Sequence, residues 1–245
     1  MSRWRAALIH LLISIGILVL FLAPMLLFWY PHPYLQAIGV DRLLMILIGV
    51  QVILGPCITL IIFRSGKPGL KFDLIVLGIA QFSALIYGAS VIAEARPAFL
   101  VFAVDRFELV QAKDIDFTGA RSPQFESAPW TGPGLAAAVS PQNPEKKQEI
   151  LFSAVAGGAD IQNVAELFEP YKKHAAAAVA RAAPLTDLRA KGPETVGQIE
   201  DFLADQAIPE ERLVYLPVRA SKRDLTMILD KSTGEPLKAL TIDPW

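Results

Sequence analysis

Three long apolar stretches without a charged side chain dominate the first part of this 245-residue chain. They cover residues 6–30, 43–63 and 74–93. The hydrocarbon core of a bilayer is about 30 Å thick, so a helix that rises about 1.5 Å per residue crosses it with about 20 apolar residues. Each stretch reaches that length. The sequence therefore predicts a membrane protein with three transmembrane helices.

Charge divides the chain into two parts. Residues 1–96 carry seven basic and three acidic side chains, whereas residues 97–245 carry 16 basic and 21 acidic ones. We therefore predict a transmembrane domain over residues 1–96, with the lipid bilayer as its partner, and a mildly acidic globular domain over residues 97–245. About 150 residues can bury a core of their own. The acidic balance argues against nucleic-acid binding, which needs a concentrated positive patch.

The positive charges set the expected orientation. Arg3 and Arg5 precede the first apolar stretch, and Arg64, Lys67 and Lys71 separate the second stretch from the third. Short loops rich in Lys and Arg stay in the cytoplasm. We therefore expect a cytoplasmic N-terminus, and three crossings then place the C-terminal domain outside. In a bacterial inner membrane that domain is periplasmic.

The C-terminal domain mixes strand and helix patterns. Aromatic and β-branched runs predict strands over residues 99–104, 107–110, 213–218, 225–229 and 237–242. Apolar residues three and four apart predict helices after Asp160, over residues 175–183 and after Thr195. Together these patterns favour an α+β domain with an antiparallel sheet. Residues 117–147 contain five prolines and are predicted to form an irregular loop.

Catalytic and metal-binding patterns do not stand out in the sequence. His174 is the one histidine of the C-terminal domain and lies among lysines and alanines, which is typical of a solvated helix face. Nucleophilic catalysis needs an imidazole beside the nucleophile, and zinc needs a cluster of His, Cys or carboxylate ligands. We therefore expect a protein that is not an enzyme, with no metal, no cofactor and no small-molecule substrate.

A ridge of small residues marks the third apolar stretch. Ala80, Ala84 and Gly88 are four residues apart, so they stack on one helix face and let another backbone approach closely. This ridge either packs against the other two helices or receives a transmembrane helix of a partner protein. Gln81 and Gln51 are polar within the stretches, and an amide in hydrocarbon needs a partner inside a helix bundle.

A series of short motifs runs through the chain in a fixed order. They are RAALIHLLIS at 5–14, WYPHPY at 29–34, LGPCITL at 54–60, KFDL at 71–74 and ARPAFLVFAVDRF at 95–107. In order and spacing this series resembles the TfpX/TfpZ group of type IV pilin accessory proteins. The resemblance implies an inner-membrane protein that binds the major type IV pilin and acts as a chaperone or as a modulator of pilus assembly and dynamics. In that case Ala80, Ala84, Gly88 and Gln81 are the candidate partner-binding residues.

Two other functions stay open at this point. The first is a membrane-anchored periplasmic protein that binds a small ligand or acts as a sensor, and a ligand pocket would distinguish it. The second is an enzyme, which would bring carboxylates or His174 together in a cleft.

Overall fold

Three long helices form the N-terminal part of the chain. A computed structural model describes residues 1–206 and 208–245. Helix α1 covers Arg3–Trp29, and the short helix α2 covers Tyr34–Ile38. The next long helix, Asp41–Ile62, consists of α3 (Asp41–Ile48), a π-helical segment (Gly49–Leu54) and α4 (Gly55–Ile62). Helix α5 covers Leu70–Glu94. All three long helices are long and apolar enough to cross a membrane, as the sequence predicts.

A mixed sheet with short helices follows the helix bundle. Its strands are β1 (Pro97–Ala103), β2 (Arg106–Gln111), β3 (Gly134–Ala138), β4 (Phe168–Pro170), β5 (Ala183–Pro184), β6 (Leu213–Arg219), β7 (Leu225–Asp230) and β8 (Pro236–Leu240). Its helices are α6 (Pro144–Val155), α7 (Ala175–Arg181), α8 (Leu185–Arg189) and α9 (Pro193–Ala204). The strand order is β4-β3-β1-β2-β6-β7-β8, and β5 pairs with β6 beside this path.

The prediction of an antiparallel sheet is wrong in two places. β1 pairs with β3 in parallel, and β2 pairs with β6 in parallel, whereas the other pairs are antiparallel. Parallel neighbours need a long crossover connection. Here, residues 104–133 connect β1 to β3 and residues 112–212 connect β2 to β6, so no short hairpin in the sequence signals either pair.

The segment 117–147 is not irregular throughout. It contains β3, which pairs with β1 from Phe99 to Ala103, and the first turn of α6. Asn143 caps that helix, because its side-chain oxygen accepts a hydrogen bond from Glu145 N–H at 2.9 Å. The helix predicted after Asp160 is also absent: two 3₁₀ turns lead instead into β4, whose pairing with β3 overrides the helical pattern.

The two faces of β1 belong to different cores. Phe99 and Val101 pack in a cluster with Phe125 and Phe168, beneath the segments that connect β2 to β3 and α6 to β4. Leu100 and Phe102 point to the other face, because side chains alternate along a strand. They lie in a cluster that continues without interruption into the ends of α1 and α5.

The sheet and the bundle are joined directly. Helix α5 ends at Glu94 and β1 begins at Pro97, so only two residues separate the third long helix from the first strand. The Tyr30 hydroxyl donates to the carbonyl of Ile92 at 2.6 Å, which ties the end of α1 to the end of α5. This close approach of the sheet to the ends of the helices agrees with the strand predicted over residues 99–104, soon after the third apolar stretch.

A second junction holds the sheet at helix α2. The backbone N–H groups of Lys222 and Arg223, in the turn between β6 and β7, donate to the carbonyl of Ala37 at 2.9 and 3.2 Å. The Ser221 hydroxyl donates to the carbonyl of Ile38 at 3.2 Å. Helix α2 lies in the connection between α1 and α3. The sheet is therefore attached to the bundle at two places at this end, through the link from α5 to β1 and through α2.

Candidate functional site

Two buried glutamines connect the second and third long helices. The Gln51 side chain donates to the backbone carbonyl of Gln81 at 2.8 Å, and the Gln81 side chain donates to the backbone carbonyl of Gln51 at 3.4 Å. Both side chains are buried. The expectation that a polar residue in these helices faces the bundle interior is met. Gln81 therefore bonds within the chain, and its amide does not face the outside of the bundle.

Gly55 makes room for this pair of amides. A Cβ added at Gly55 would lie 2.0 Å from Gln81 Nε2, far inside van der Waals contact. Sequence reasoning identified both glutamines but did not pair them with Gly55. The sequence did contain a signal for the contact between the two glutamines. Three apolar helices offer few polar partners to a buried amide, so two amides among them are expected to bond to each other's segments.

The ridge of small residues on α5 is divided between two environments. A Cβ at Gly88 would lie 2.8 Å from Leu47 Cδ1, so Gly88 packs against α3. Ala84 is half-buried and Ala80 is exposed. Gly88 therefore serves close packing inside the bundle, whereas Ala80 and Ala84 leave a shallow strip of small side chains at its outer surface.

A second opening lies between the ends of α1, α4 and α5 that are remote from the sheet. His10 Nδ1 and Thr59 Oγ1 are 2.5 Å apart and form the polar contact between α1 and α4 there. Beside them is a cavity of about 280 Å³, bordered on α5 by Leu74 and Gly78. The opening lies on the opposite flank of α5 from Ala80, because residues 78 and 80 are about 200° apart around a helix.

The two outer edges of the sheet approach each other and leave a cleft. The Tyr171 hydroxyl, directly after β4, donates at 2.7 Å to the carbonyl of Gly234, directly before β8. The adjoining cavity has a volume of about 410 Å³, and Leu135 of β3 contributes to its lining. Within the described residues, β8 has no strand on its outer side.

Glu108 is an acidic residue whose surroundings disfavour its charged form. It lies on β2, next to Arg219 of β6 in the register of the sheet. Burial raises the pKa of its carboxyl group to about 7, and Arg219 and Arg106 oppose that shift only in part. The side chain therefore changes charge near neutral pH.

Four other carboxylates have the opposite shift. The pKa of Glu166 is lowered by hydrogen bonds from Lys146 and Arg121, and that of Asp230 is lowered mainly by the Ser232 hydroxyl. Asp116 is similarly affected by Thr118, and Glu169 by His174. Each of these carboxylates therefore has a hydrogen-bond partner within the chain that favours its charged form.

No arrangement for metal binding is found among residues 1–206 and 208–245, where no three His, Cys, Asp or Glu side chains are grouped to hold an ion. His174 is not on a freely solvated face as expected. Its Nε2 lies 3.0 Å from Glu169 Oε2, and the imidazole is largely covered. This pair links the start of α7 to β4 and gives the histidine a structural partner.

Comparisons with known proteins identify relatives along almost the whole chain. A family model described as "Fimbrial assembly protein FimB" matches residues 1–39. The chain is 29% identical over 235 residues to the fimbrial assembly protein of serogroup I from Dichelobacter nodosus, covering 91% of this chain and 89% of that protein. It is 30% identical over 236 residues to the serogroup E1 protein of the same organism, with the same two coverages.

A third relative is shorter. The fimbrial assembly protein of serogroups C1 and C2 from Dichelobacter nodosus is 33% identical over 111 residues, which is 44% of this chain and 83% of that protein. No solved structure matches. The similarity to the first two relatives extends through both the helix bundle and the sheet. On that basis, the chain belongs to the fimbrial assembly protein family.

Proposed function

We propose that this protein is an inner-membrane accessory protein of type IV pilus assembly, of the TfpX/TfpZ group, and that it is not an enzyme. The observation that carries the proposal is the similarity to fimbrial assembly proteins over 91% of the chain, which includes the three apolar helices and the sheet attached to them.

The proposed orientation follows from the basic residues at one end of the bundle. Arg3 and Arg5 begin α1, and Arg64, Lys67 and Lys71 lie where the second long helix ends and α5 begins. These residues are at the opposite end of the bundle from the sheet. By the positive-inside rule this end is cytoplasmic, and the sheet is then periplasmic.

We propose pilin as the partner. A type IV pilin is held in the inner membrane by one apolar helix and carries a periplasmic head. The outer strip of Ala80 and Ala84 would accept the pilin helix, and the cleft beside β8 would contact an extended segment of the head. Two weak contacts joined in one molecule raise the effective concentration of each. Such binding would make the protein a chaperone or a modulator of assembly.

Co-purification tests the helix contact. Ala84→Leu places a large side chain on the outer strip, and it should reduce pilin recovered with the tagged protein about tenfold, a loss that corresponds to about 1.4 kcal/mol. Gly78→Leu is the matched control, because no atom lies within 4 Å of a Cβ at Gly78 in the described structure and that position is on the other flank. Equal pilin recovery from both variants at equal expression would refute the contact.

Crosslinking in the native membrane tests the partner itself. A photoreactive residue at Ala80, which is exposed, should capture pilin, whereas one at the buried Leu85 should not. Absence of pilin from the Ala80 products would overturn the proposed partner and leave the family assignment intact.

The cleft beside β8 favours one alternative, a membrane-anchored periplasmic sensor or ligand-binding protein. Its volume of about 410 Å³ falls within the usual range for small-ligand sites, about 300–1,000 Å³. However, the Tyr171 hydroxyl is already used in a bond to Gly234. A ligand that raises the melting temperature of the wild type but not of a Leu135→Trp variant, in which the cleft is filled, would favour this alternative over pilin binding.

A further inference from the structure

Trp130 is an exposed aromatic residue in the segment that connects β2 to β3. Its side chain is 77% exposed, although one edge of the ring meets the ring of Trp29. The two ring centroids are 5.9 Å apart and the rings are nearly perpendicular, at 88°. Edge-to-face contact of this kind is a favourable arrangement for two aromatic rings. The packing fixes the position of Trp130 and leaves most of its surface uncovered.

This position is level with the ends of two long helices. The backbone N–H of Gly132 donates to the carbonyl of Phe28, in the last turn of α1, at 2.6 Å. The guanidinium of Arg96, just after α5, lies 5.4 Å from the centre of the Trp29 ring. Trp29 therefore contacts both the Arg96 guanidinium and the Trp130 ring, where α1 ends and the sheet begins.

We propose that Trp130 inserts into the headgroup layer of the outer leaflet and gives the sheet domain a membrane contact of its own. This inference rests on the proposed insertion of the bundle. Tryptophan favours the membrane interface because its ring is largely apolar while its N–H still reaches water or headgroups. The end of a transmembrane helix that terminates in Phe28 and Trp29 lies at that depth, and the ring of Trp130 packs against it.

The lipid headgroup layer fits the site better than water does. A large apolar ring that is held in place by its neighbours stays exposed to water unless another surface covers it. Trp130 extends the aromatic belt of α1 sideways onto a segment of the sheet domain, and Arg96 adds a positive charge at the level of the lipid phosphates. The contact would hold the sheet domain at a fixed height and tilt on the membrane.

Trp29 provides an internal control, because it is at the end of α1. Trp245 is exposed but is not a suitable reference, because its Nε1 donates to Asp224 Oδ2 at 2.6 Å, and the backbone N–H of the neighbouring Arg223 donates to the carbonyl of Ala37 in α2.

Fluorescence quenching by brominated lipid tests the proposal. Two full-length variants each retain one tryptophan, at 29 or 130, with phenylalanine at the other three positions. They are placed in nanodiscs of phosphatidylcholine brominated at acyl carbons 6 and 7, at carbons 11 and 12, or not brominated. We expect strong quenching of Trp130 by the shallow bromines and about half as much by the deep ones. We expect quenching of Trp29 as well, and quenching of neither residue in the nanodiscs without bromine.

Failure of the proposal and failure of membrane insertion give different results. If Trp130 is unquenched while Trp29 is quenched, the bundle is inserted and the Trp130 contact is wrong. If neither Trp29 nor Trp130 is quenched, the insertion on which the proposed function depends is wrong as well. In the otherwise unchanged chain, Trp130→Phe should remove part of the quenched emission, and an unchanged quenched fraction would also overturn the contact.

Discussion

Gly55 lies against the side chain of Gln81, so that a Cβ at position 55 would stand 2.0 Å from Gln81 Nε2. The side chain of Gln81 is buried, and its backbone carbonyl accepts the bond from Gln51. A lipid environment offers no water to replace such bonds. The contact between Gly55 and Gln81 therefore fixes how closely the second and third long helices approach.

Gly55→Ala should separate these helices locally and lower the free energy of unfolding by about 1–3 kcal/mol, as overpacking in a core does. Thermal unfolding of the purified protein in detergent measures the change. Gly78→Ala is the control, since it adds the same methyl group to α5 where no atom lies within 4 Å in the described structure. Its greater helix propensity should leave stability unchanged or slightly higher. Equal melting temperatures for the two variants would contradict the close contact.

Glu108 should make the stability of the sheet domain depend on pH. Burial raises the pKa of its carboxyl group from the usual value near 4.5 to about 7 in the folded protein. The folded state therefore binds the proton more tightly than the unfolded state does. This tighter proton binding contributes to the stability of the folded state. The contribution is fully present below about pH 4.5 and is lost as the pH rises through 7.

Glu108→Gln removes this titration. At pH 8 the variant should be more stable than the wild type by about 1–3 kcal/mol, since one pKa unit corresponds to about 1.4 kcal/mol and the side chain is partly solvated. At pH 4.5 the two should differ little. Melting temperatures at four pH values between 4.5 and 8 measure the difference. Glu126→Gln, at an exposed position, is the matched control. A constant difference between Glu108→Gln and wild type would show that burial of the charge is not its cause.

Phe125 anchors the long segment between β2 and β3. Its side chain is buried against Phe99 and Phe168, with ring centroids 5.8 and 5.7 Å away. Phe125→Ala should cost about 3–5 kcal/mol, as truncation of a buried aromatic does, and should expose residues 119–133 to protease. Gln124→Ala changes the exposed neighbour and should have little effect on either quantity. Protection of the segment in Phe125→Ala would mean that other contacts hold it.

Gly234 combines a left-handed backbone with a close neighbour. Its φ is +72°, and an added Cβ would lie 2.7 Å from the carbonyl oxygen of Ala175. Gly157 has a φ of +82° but no atom within 4 Å in the described structure. Gly157→Ala should therefore show the backbone cost alone, about 1 kcal/mol, and Gly234→Ala should cost at least about 1 kcal/mol more. Chemical denaturation of both variants measures the difference, and equal losses would argue against the contact with Ala175.

The long helices could be predicted from sequence because their length and apolar composition can be read from continuous runs of residues and do not depend on long-range contacts. The apolar run predicts residues 74–93, and the helix begins earlier, at Leu70, because Lys71 and Asp73 continue it outside the apolar region. Most strands of the sheet were also recognisable, since the hairpins β1–β2 and β7–β8 are local and rich in aliphatic or aromatic residues.

The mixed pairing of the sheet could not be predicted locally. β3 has the sequence Gly-Leu-Ala-Ala-Ala, which does not favour a strand. Its small residues are required by its neighbours, because a Cβ at Gly134 would lie 2.8 Å from the ring of Phe99. That requirement appears only once β1 and β3 are side by side. The division of the small-residue ridge on α5 had the same cause, since it depends on where Leu47 lies.

The two-residue connection between Glu94 and Pro97 has a mechanical consequence. The sheet cannot swing on a flexible tether, because Leu100 and Ile92 share one continuous packed cluster. A sideways pull on the outer end of the sheet would act as torque on α5 and its neighbours. The whole molecule would respond as a lever whose fulcrum is the surface of the bilayer.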